Sequence, residues 1–239
     1  MTINRQPIEK RTDNPAYIDV HSIFRTIQGE GPFCGTPCTF VRLAGCNLQC
    51  PGCDTDYTKG RQLLTVYQLV EEIREHSYDG LVVITGGEPF RQDLSLLFQS
   101  LLALGYYVQV ETNGTVKPSR AAYNQSIDDR HGVYLVCSPK TGKLNPAMSW
   151  TACAFKYVMN CNDVDPDDGL PTSVLGNGIR VARPPEGWTR PIYLQPLDEG
   201  CVCNACQELN RDHTQACIDS CMKHGYTLQL QIHKIIRMQ

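Results

Sequence analysis

The chain has 239 residues, 41% of them hydrophobic, and a formal net charge of −3 at pH 7. This length suits one larger domain or two small ones, and the apolar content is sufficient for a buried core. The net charge gives no indication of the basic surface that nucleic-acid-binding proteins present. No apolar run reaches the roughly 18–20 residues that cross a bilayer, and the polar start lacks a signal-peptide core. We therefore expect a cytoplasmic protein with neither membrane nor nucleic-acid partners.

We expect residues 1–17 to be a polar N-terminal extension, in which Met1–Asn14 frays, and residues 18–239 to be a single domain. Within that domain, short apolar runs alternate with helical patterns. Strands are predicted at Thr39–Leu43, Leu81–Thr85, Tyr107–Val110, Val133–Val136, Phe155–Val158, Ile192–Leu194 and Thr227–Ile232. Helices are predicted after a capping Thr65, across Leu94–Leu102 and around Gln207–His224.

Strands that alternate with helices or long connections are typical of a parallel sheet with right-handed crossovers. A complete eight-fold barrel of this kind needs about 250 residues. Because this chain also has a polar start and a long early loop, we predict an α/β fold, a partial (open) parallel β/α barrel of about six repeats.

Three closely spaced cysteines, Cys46, Cys50 and Cys53, follow the first predicted strand in a C-x3-C-x2-C pattern. Three thiolates at this spacing can hold three irons of a four-iron cluster and leave the fourth iron open to a small molecule. Zinc is the main alternative, because it also binds closely spaced cysteines. A disulfide is disfavoured by the odd number and the short segment.

Unusual polar and glycine motifs follow the strand runs rather than preceding them. They are the cysteine loop, Gly86–Pro89, Glu111–Gly114, Ser138–Lys140 and Gln195–Asp198. In parallel α/β folds the carboxyl ends of the strands form one face, where sites are built. We therefore expect these motifs to converge on one site.

Single residues in this region have a structural and a functional interpretation. Arg42, in an apolar strand, needs either a buried ion-pair partner or a substrate carboxylate. Asp54-Thr55-Asp56 either closes the cysteine loop as a turn or offers oxygen ligands to magnesium. Gly86-Gly87 is either a tight turn or a place where the backbone approaches a ligand. His233, after the last predicted strand, is placed to face the site.

Further cysteines, out of 13 in all, form a second concentration at Cys201-x-Cys203-x2-Cys206, followed by Cys217 and Cys221. Four of these five could hold zinc or another cluster, although cysteines on a helix are often packing residues. Cys137, Cys153 and Cys161 lie in or beside strand runs and are predicted to be buried.

The cysteine triad together with Gly86-Gly87-Glu88-Pro89 resembles the radical S-adenosylmethionine superfamily. A longer set of segments resembles the 7-carboxy-7-deazaguanine synthase family within it. These segments are Phe24–Gly31, Phe40–Cys46, Cys53–Thr55, Glu111–Gly114, Ser138–Lys140, Gln195–Asp198 and Gln231–Lys234. The likeness runs from about Ile18 to the C-terminus and implies a radical S-adenosylmethionine type of open barrel.

The resemblance implies a carbon–nitrogen lyase of queuosine and other 7-deazapurine biosynthesis. Its substrate would be 6-carboxy-5,6,7,8-tetrahydropterin, contracted to 7-carboxy-7-deazaguanine with release of ammonia. The implied cofactors are a 4Fe-4S cluster, S-adenosylmethionine, whose one-electron cleavage gives a hydrogen-abstracting radical, and Mg²⁺. An electron donor such as flavodoxin or ferredoxin and a homodimer are also implied.

The resemblance also implies roles for individual residues. Cys46, Cys50 and Cys53 would bind the cluster, and Thr55 the magnesium. The S-adenosylmethionine pocket would comprise Gly52, Cys53, Asp54, Gly87, Ser138, Pro139, Lys140, Gln195, Pro196, Leu197 and Asp198. The substrate would contact Ile27, Gln28, Gly29, Arg42, Thr85 and Gln239. Gly52 departs from the superfamily, which often has an aromatic residue there, and the cysteines from Cys201 to Cys206 lie outside the family pattern.

Two alternatives stay open at this point. A glycyl-radical activating enzyme shares the cysteine spacing but would act on a large protein partner. A zinc-stabilised binding module without catalysis would use the cysteines structurally.

Overall fold

A nine-stranded sheet organises the computed structural model, which describes residues 4–53, 55–76, 80–121, 123–124, 130–176, 178–201 and 203–238. Its strands are β1 Tyr17–Ile27, β2 Pro37–Leu43, β3 Gln62–Thr65, β4 Leu81–Gly86, β5 Tyr107–Thr112, β6 Val133–Cys137, β7 Ala152–Met159, β8 Ile192–Pro196 and β9 Thr227–Leu228. The helices are α1 Val66–His76, α2 Ser95–Ala103, α3 Met148–Thr151, α4 Asn204–His224 and α5 Ile232–Ile236, with short 3-10 turns at Pro89–Arg91 and Val174–Gly176.

The strand order across the sheet is β3-β1-β2-β4-β5-β6-β7-β8-β9. From β2 to β9 every neighbouring pair is parallel, whereas β1 runs antiparallel to both β2 and β3. In the described part of the chain β3 and β9 remain the two edges, so the sheet does not close. The prediction of a partial, open parallel barrel is confirmed.

Strands β4 and β6 are apolar over most of their length because both faces of the sheet are covered. Leu81–Ile84 of β4 and all of β6 are buried. Helix α1 buries one apolar stripe, Val66, Leu69, Val70 and Ile73, in the same core. Its start is a capping box: Thr65 Oγ1 accepts from the Gln68 N–H at 3.2 Å, and Gln68 Oε1 accepts from the Thr65 N–H at 2.9 Å. None of the helices in these ranges is long and apolar enough to cross a membrane.

Strands β1 and β3 and the short helices α3 and α5 were not predicted, and the last predicted strand is too long. Strand β1 was not predicted, since its sequence mixes polar and apolar residues without a continuous apolar run. The strand predicted at Thr227–Ile232 is wrong beyond Leu228, where the chain leaves the sheet and α5 begins at Ile232. The Gln229 N–H still donates to the Leu194 carbonyl of β8 at 2.8 Å, and its side-chain Oε1 accepts from the Gly31 N–H at 2.6 Å, which links this segment to the loop after β1.

The polar start of the chain packs on the cysteine loop, so the expectation that it frays is wrong for the described residues from Asn4 onwards. The Gln6 side chain donates to the Thr55 carbonyl at 2.8 Å and accepts from the Tyr57 N–H at 2.7 Å. The Glu9 N–H donates to the Cys46 carbonyl at 2.7 Å. This segment therefore holds the loop that carries the three cysteines.

Candidate active site

A cavity of about 820 Å³ lies at the carboxyl ends of the parallel strands. This volume is within the range of small-molecule sites. Most residues singled out in the sequence line it: Ile27, Gln28, Gly29, Arg42, Cys46, Cys50, Gly52, Cys53, Thr55, Thr85, Gly87, Ser138, Lys140, Gln195, Pro196, Leu197, Asp198 and His233. The strand-end motifs therefore converge as expected, because parallel strands deliver the residues after them to one face.

Three predicted residues are not part of this lining. Pro139 is buried between two residues that line the cavity, Ser138 and Lys140, but is not in its wall. Asp54 and Gln239 lie outside the described residues.

The cysteine loop and the glycine loop after β4 pack backbone to backbone. The Gly87 N–H donates to the Leu43 carbonyl at 3.2 Å, and the Glu88 N–H donates to the Gly45 carbonyl at 3.1 Å. A Cβ at Gly87 would overlap the Gly45 carbonyl oxygen. The absence of a side chain at Gly87 thus serves the contact between the two loops, and this contact fixes the cysteine loop at the end of β4.

The cysteine thiols suit binding of a positively charged iron group. Burial raises the pKa of Cys46 to about 12. Burial also raises the pKa of Cys50, and the Lys140 charge opposes that shift. Such surroundings favour neutral thiols until a metal supplies positive charge, because metal ligands bind as thiolates. Three thiols that line one cavity, with an ammonium group nearby, are suited to hold a 4Fe-4S cluster.

Glu88, the third residue of the Gly86–Pro89 motif, connects the ends of β4 and β5. Its fully buried carboxylate accepts from Thr112 Oγ1 at 2.7 Å, from the Asn113 N–H at 2.8 Å and from the Phe90 N–H at 3.1 Å. Burial raises the pKa of Glu88 to about 7, although these hydrogen bonds oppose the shift. The side chain does not line the cavity and instead fixes two of the loops that do.

Arg42 extends from β2 into the cavity. Its Nη1 donates to Thr55 Oγ1 at 3.3 Å, and the guanidinium lies 5.9 Å from the centre of the Phe24 ring. Among the described residues no carboxylate lies within 4.0 Å of this guanidinium. The ion-pair interpretation of Arg42 therefore finds no partner there, and the planar fork is available to a carboxylate ligand.

A polar network surrounds Glu111 at the end of β5. Gln28, only 1% exposed, donates to Glu111 Oε1 at 3.0 Å, and Thr85 Oγ1 donates to Oε2 at 3.2 Å. Gln109 also donates to Oε1, at 3.1 Å. Gln28, Thr85 and Glu111 all line the cavity, where they offer donors and an acceptor to a planar heterocycle.

The sequence analysis missed a buried ion pair between Lys156 of β7 and Glu30 in the loop after β1. Gln231 donates to the same carboxylate at 2.8 Å. Burial alone raises the pKa of the Glu30 carboxyl, but the Lys156 charge and the hydrogen bonds lower it below its ordinary value. Lys156 could have been noticed because it is a charged residue within the apolar run Phe155–Val158, just as Arg42 is a charged residue within an apolar strand.

Charged residues after β8 and β9 form the other rim of the cavity. Asp198 pairs with Lys234, whose hydrogen bond lowers the pKa of the Asp198 carboxyl. Glu199 Oε1 lies 3.2 Å from Nε2 of His213, a buried residue of α4. His213 Nδ1 accepts from the Cys161 N–H at 3.0 Å, so the neutral ring carries its proton on Nε2 and donates to Glu199. Glu199 had no local motif to mark it, whereas Lys234 lies in the segment Gln231–Lys234 that contributes to the family resemblance.

A sequence model described as the Radical SAM superfamily matches residues 41–129, which include all three cysteines of the loop. The 7-carboxy-7-deazaguanine synthase of Rhodospirillum rubrum is 39% identical over 224 residues, covering 92% of each chain. The protein of the same name from Rickettsia prowazekii is 33% identical and covers 93% of this chain and 89% of its own.

Among solved structures, QueE from Escherichia coli superposes with a TM-score of 0.65. The superposition covers 90% of this chain and 94% of the QueE chain. Because the sequence identity is 22%, this similarity bears on the fold alone. Both relatives match nearly the whole chain and carry the synthase name. This match does not support the two alternatives left open by the sequence, a glycyl-radical activating enzyme and a zinc-binding module. The chain belongs to the 7-carboxy-7-deazaguanine synthase family of the radical S-adenosylmethionine superfamily.

Proposed function

We propose that this protein is a 7-carboxy-7-deazaguanine synthase. It converts 6-carboxy-5,6,7,8-tetrahydropterin to 7-carboxy-7-deazaguanine and releases ammonia, as a carbon–nitrogen lyase of queuosine and deazapurine biosynthesis. The observation that carries this proposal is one cavity in which cysteine thiols, an arginine and an amide–carboxylate network line the same space. The thiols suit a radical-generating cluster, and the other groups suit a planar substrate that bears a carboxylate.

At the cofactor end, Cys46, Cys50 and Cys53 would hold the cluster. When bound, the 4Fe-4S cluster and S-adenosylmethionine supply one-electron cleavage of a sulfonium and abstraction of a hydrogen atom. The chain's own contribution is to position and shield the cofactor. By family likeness the pocket comprises Gly52, Cys53, Asp54, Gly87, Ser138, Pro139, Lys140, Gln195, Pro196, Leu197 and Asp198.

Lys140 adds a fixed positive charge to this end. Its Nζ donates to Ser138 Oγ at 2.6 Å. Burial, and then the like charge of Lys156, lower the pKa of Lys140. An ammonium held in this way is suited to a carboxylate such as that of S-adenosylmethionine, which would offset both effects.

At the substrate end, Arg42 would bind the pterin carboxylate through its guanidinium fork. Thr55, which already accepts from Arg42, would ligate magnesium beside that carboxylate. Gln28 and Glu111 would hydrogen bond the heterocycle. By family likeness Ile27, Gly29 and Thr85 complete the contacts, and the C-terminal Gln239 reaches the substrate.

The reaction needs a one-electron reductant, for which we propose flavodoxin or ferredoxin. We further propose a homodimer in the cytoplasm, with residues 18–239 as one domain and residues 1–17 as an N-terminal extension whose described part packs against that domain. The contacts of Gln6 and Glu9 with the cysteine loop support that last arrangement.

The test is anaerobic incubation of the reconstituted protein with S-adenosylmethionine, reductant and the carboxypterin, with mass-spectrometric detection of the deazaguanine acid. Cys50→Ala should abolish reductive cleavage of S-adenosylmethionine, whereas Cys161→Ala, a half-buried thiol outside the cavity lining, should not. Cleavage retained in Cys50→Ala would reject the cluster assignment. Cleavage without the deazaguanine acid in the unmodified protein would reject the substrate.

A further inference from the structure

Three cysteine sulfurs meet outside the cavity, at the start of helix α4. Cys201 and Cys206 are joined as a disulfide, and Cys203 Sγ lies 3.0 Å from Cys201 Sγ. All three sulfurs lie within 4.8 Å of one another. We propose that the reduced set Cys201, Cys203 and Cys206, here called the α4 thiol triad, binds a single zinc ion.

The spacing of the sulfurs selects a mononuclear site. Zinc binds thiolates at about 2.3 Å, so two thiolates on one tetrahedral ion lie about 3.8 Å apart. Three sulfurs within 4.8 Å can reach that arrangement by rotation of side chains. A four-iron cluster instead binds each thiolate through a different iron and needs sulfurs that are farther apart. The soft thiolate set also selects zinc over hard cations such as magnesium.

The position of the α4 thiol triad leaves a fourth coordination site open. Cys203 is the residue before the first turn of α4, and its side chain makes no capping hydrogen bond there. The positive end of the helix stabilises negative charge on nearby sulfur. Cys201 and Cys203 are exposed and Cys206 is half-buried, so water can complete the coordination.

The other cysteines of α4 do not belong to this set. Cys217 is fully buried in the main core, and Cys221 packs against that core. Both lie more than two turns farther along the helix than Cys206. The candidate site therefore contains three of the five cysteines that the sequence analysis considered for a second metal site.

Zinc and the disulfide exclude each other, because the disulfide uses two of the three thiols. Reduction by a dithiol adds two electrons and two protons and yields the free thiols of Cys201 and Cys206, while the dithiol becomes a disulfide. Zinc then replaces the three thiol protons. Bound zinc would restrain the segment that begins at Asp198 and Glu199, two residues of the cavity rim.

The test measures metal content, which does not depend on turnover. The full chain is purified anaerobically with its cluster, reduced with a dithiol, supplied with zinc and separated from free metal. We expect about one zinc and about four irons per chain by mass spectrometry of the elements. Replacing the α4 thiol triad with serine should lower zinc at least tenfold and leave iron unchanged, and Cys161→Ser should retain both metals.

A second variant separates this site from the cavity cysteines. Alanine at Cys46, Cys50 and Cys53 should remove the iron and retain the zinc. Three outcomes would overturn the proposal: no zinc in the reduced unmodified protein, zinc that persists in the serine variant of the α4 thiol triad, or about eight irons per chain that fall to about four in that variant. The last outcome would indicate a second cluster.

Discussion

The Glu30 carboxylate and the Lys156 ammonium form an ion pair in which both residues are more than 90% buried. They are 126 positions apart in the sequence. The pair joins the loop after β1 to the middle of β7, and Gln231 adds the segment after β9 to the same carboxylate. Three separate parts of the cavity wall are therefore held at one charged point.

Lys156→Met should lower the free energy of unfolding by about 3–5 kcal/mol, because Glu30 is left as an uncompensated buried charge. The measurement is equilibrium denaturation in urea. Lys234→Met is the matched control, since Lys234 and Asp198 are 43% and 35% exposed in their side chains. We expect a loss of about 0–1 kcal/mol there. Equal losses of unfolding free energy in the two variants would contradict the prediction that the buried pair stabilises the fold more than the exposed pair.

The same pair predicts how stability depends on pH. The pKa of Glu30 is lowered in the folded protein, from 4.5 to about 2. A lowered carboxyl pKa stabilises the fold fully above the unfolded value, and this contribution is lost as pH falls towards the folded value. The difference in unfolding free energy between the unmodified protein and Glu30→Gln should therefore shrink steadily from pH 4.5 downwards. Urea titrations at several pH values measure it, and a constant difference would contradict the prediction.

Gly29 and His233 are predicted to be energetically coupled. A Cβ at Gly29 would overlap Nδ1 of the His233 ring. Gly29→Ala should therefore destabilise the protein by about 1–3 kcal/mol, the usual cost of overpacking. In a His233→Ala background the cost should fall below half of that value. A double-mutant cycle with thermal or urea unfolding tests the coupling, and strictly additive losses would reject it.

Arg42→Met should leave uncoupled cleavage of S-adenosylmethionine intact but lower kcat/KM for the carboxypterin roughly 10- to 150-fold. That range corresponds to a charged hydrogen bond of about 1.5–3 kcal/mol. The control is Arg74→Met, which removes a surface pair with Glu71 on α1. Steady-state kinetics under anaerobic conditions provide the comparison. Unchanged kinetics in Arg42→Met would reject its role as the carboxylate clamp.

The parts of the fold that could be predicted are those with local signals. The apolar runs of β4 and β6 needed no distant partner to be recognised, because strands covered on both faces are apolar throughout. The cysteine triad and the motifs after each strand reach the cavity because parallel strands end on one face. These two regularities account for most of the predicted lining.

The features that could not be predicted depend on contacts between distant parts of the chain. Strand β1 has no continuous apolar run and is stabilised by antiparallel pairing with β2 and β3. The N-terminal segment is polar because its side chains, such as Gln6, bind the backbone of the cysteine loop. Lys156 could be recognised as unusual from its apolar neighbours, but nothing local identified Glu30 as its partner.

The junction between the loop after β1 and the segment after β9 bears on how the protein is synthesised. The Gly31 N–H donates to Gln229, and the Glu30 carboxylate accepts from Gln231, about 200 residues later in the chain. A ribosome completes the cysteine loop long before it reaches these glutamines, and a domain generally folds as a unit. Every earlier nascent chain therefore presents the cysteines without this wall. The wall beside the cysteine loop is therefore completed only after the segment that follows β9 has been synthesised.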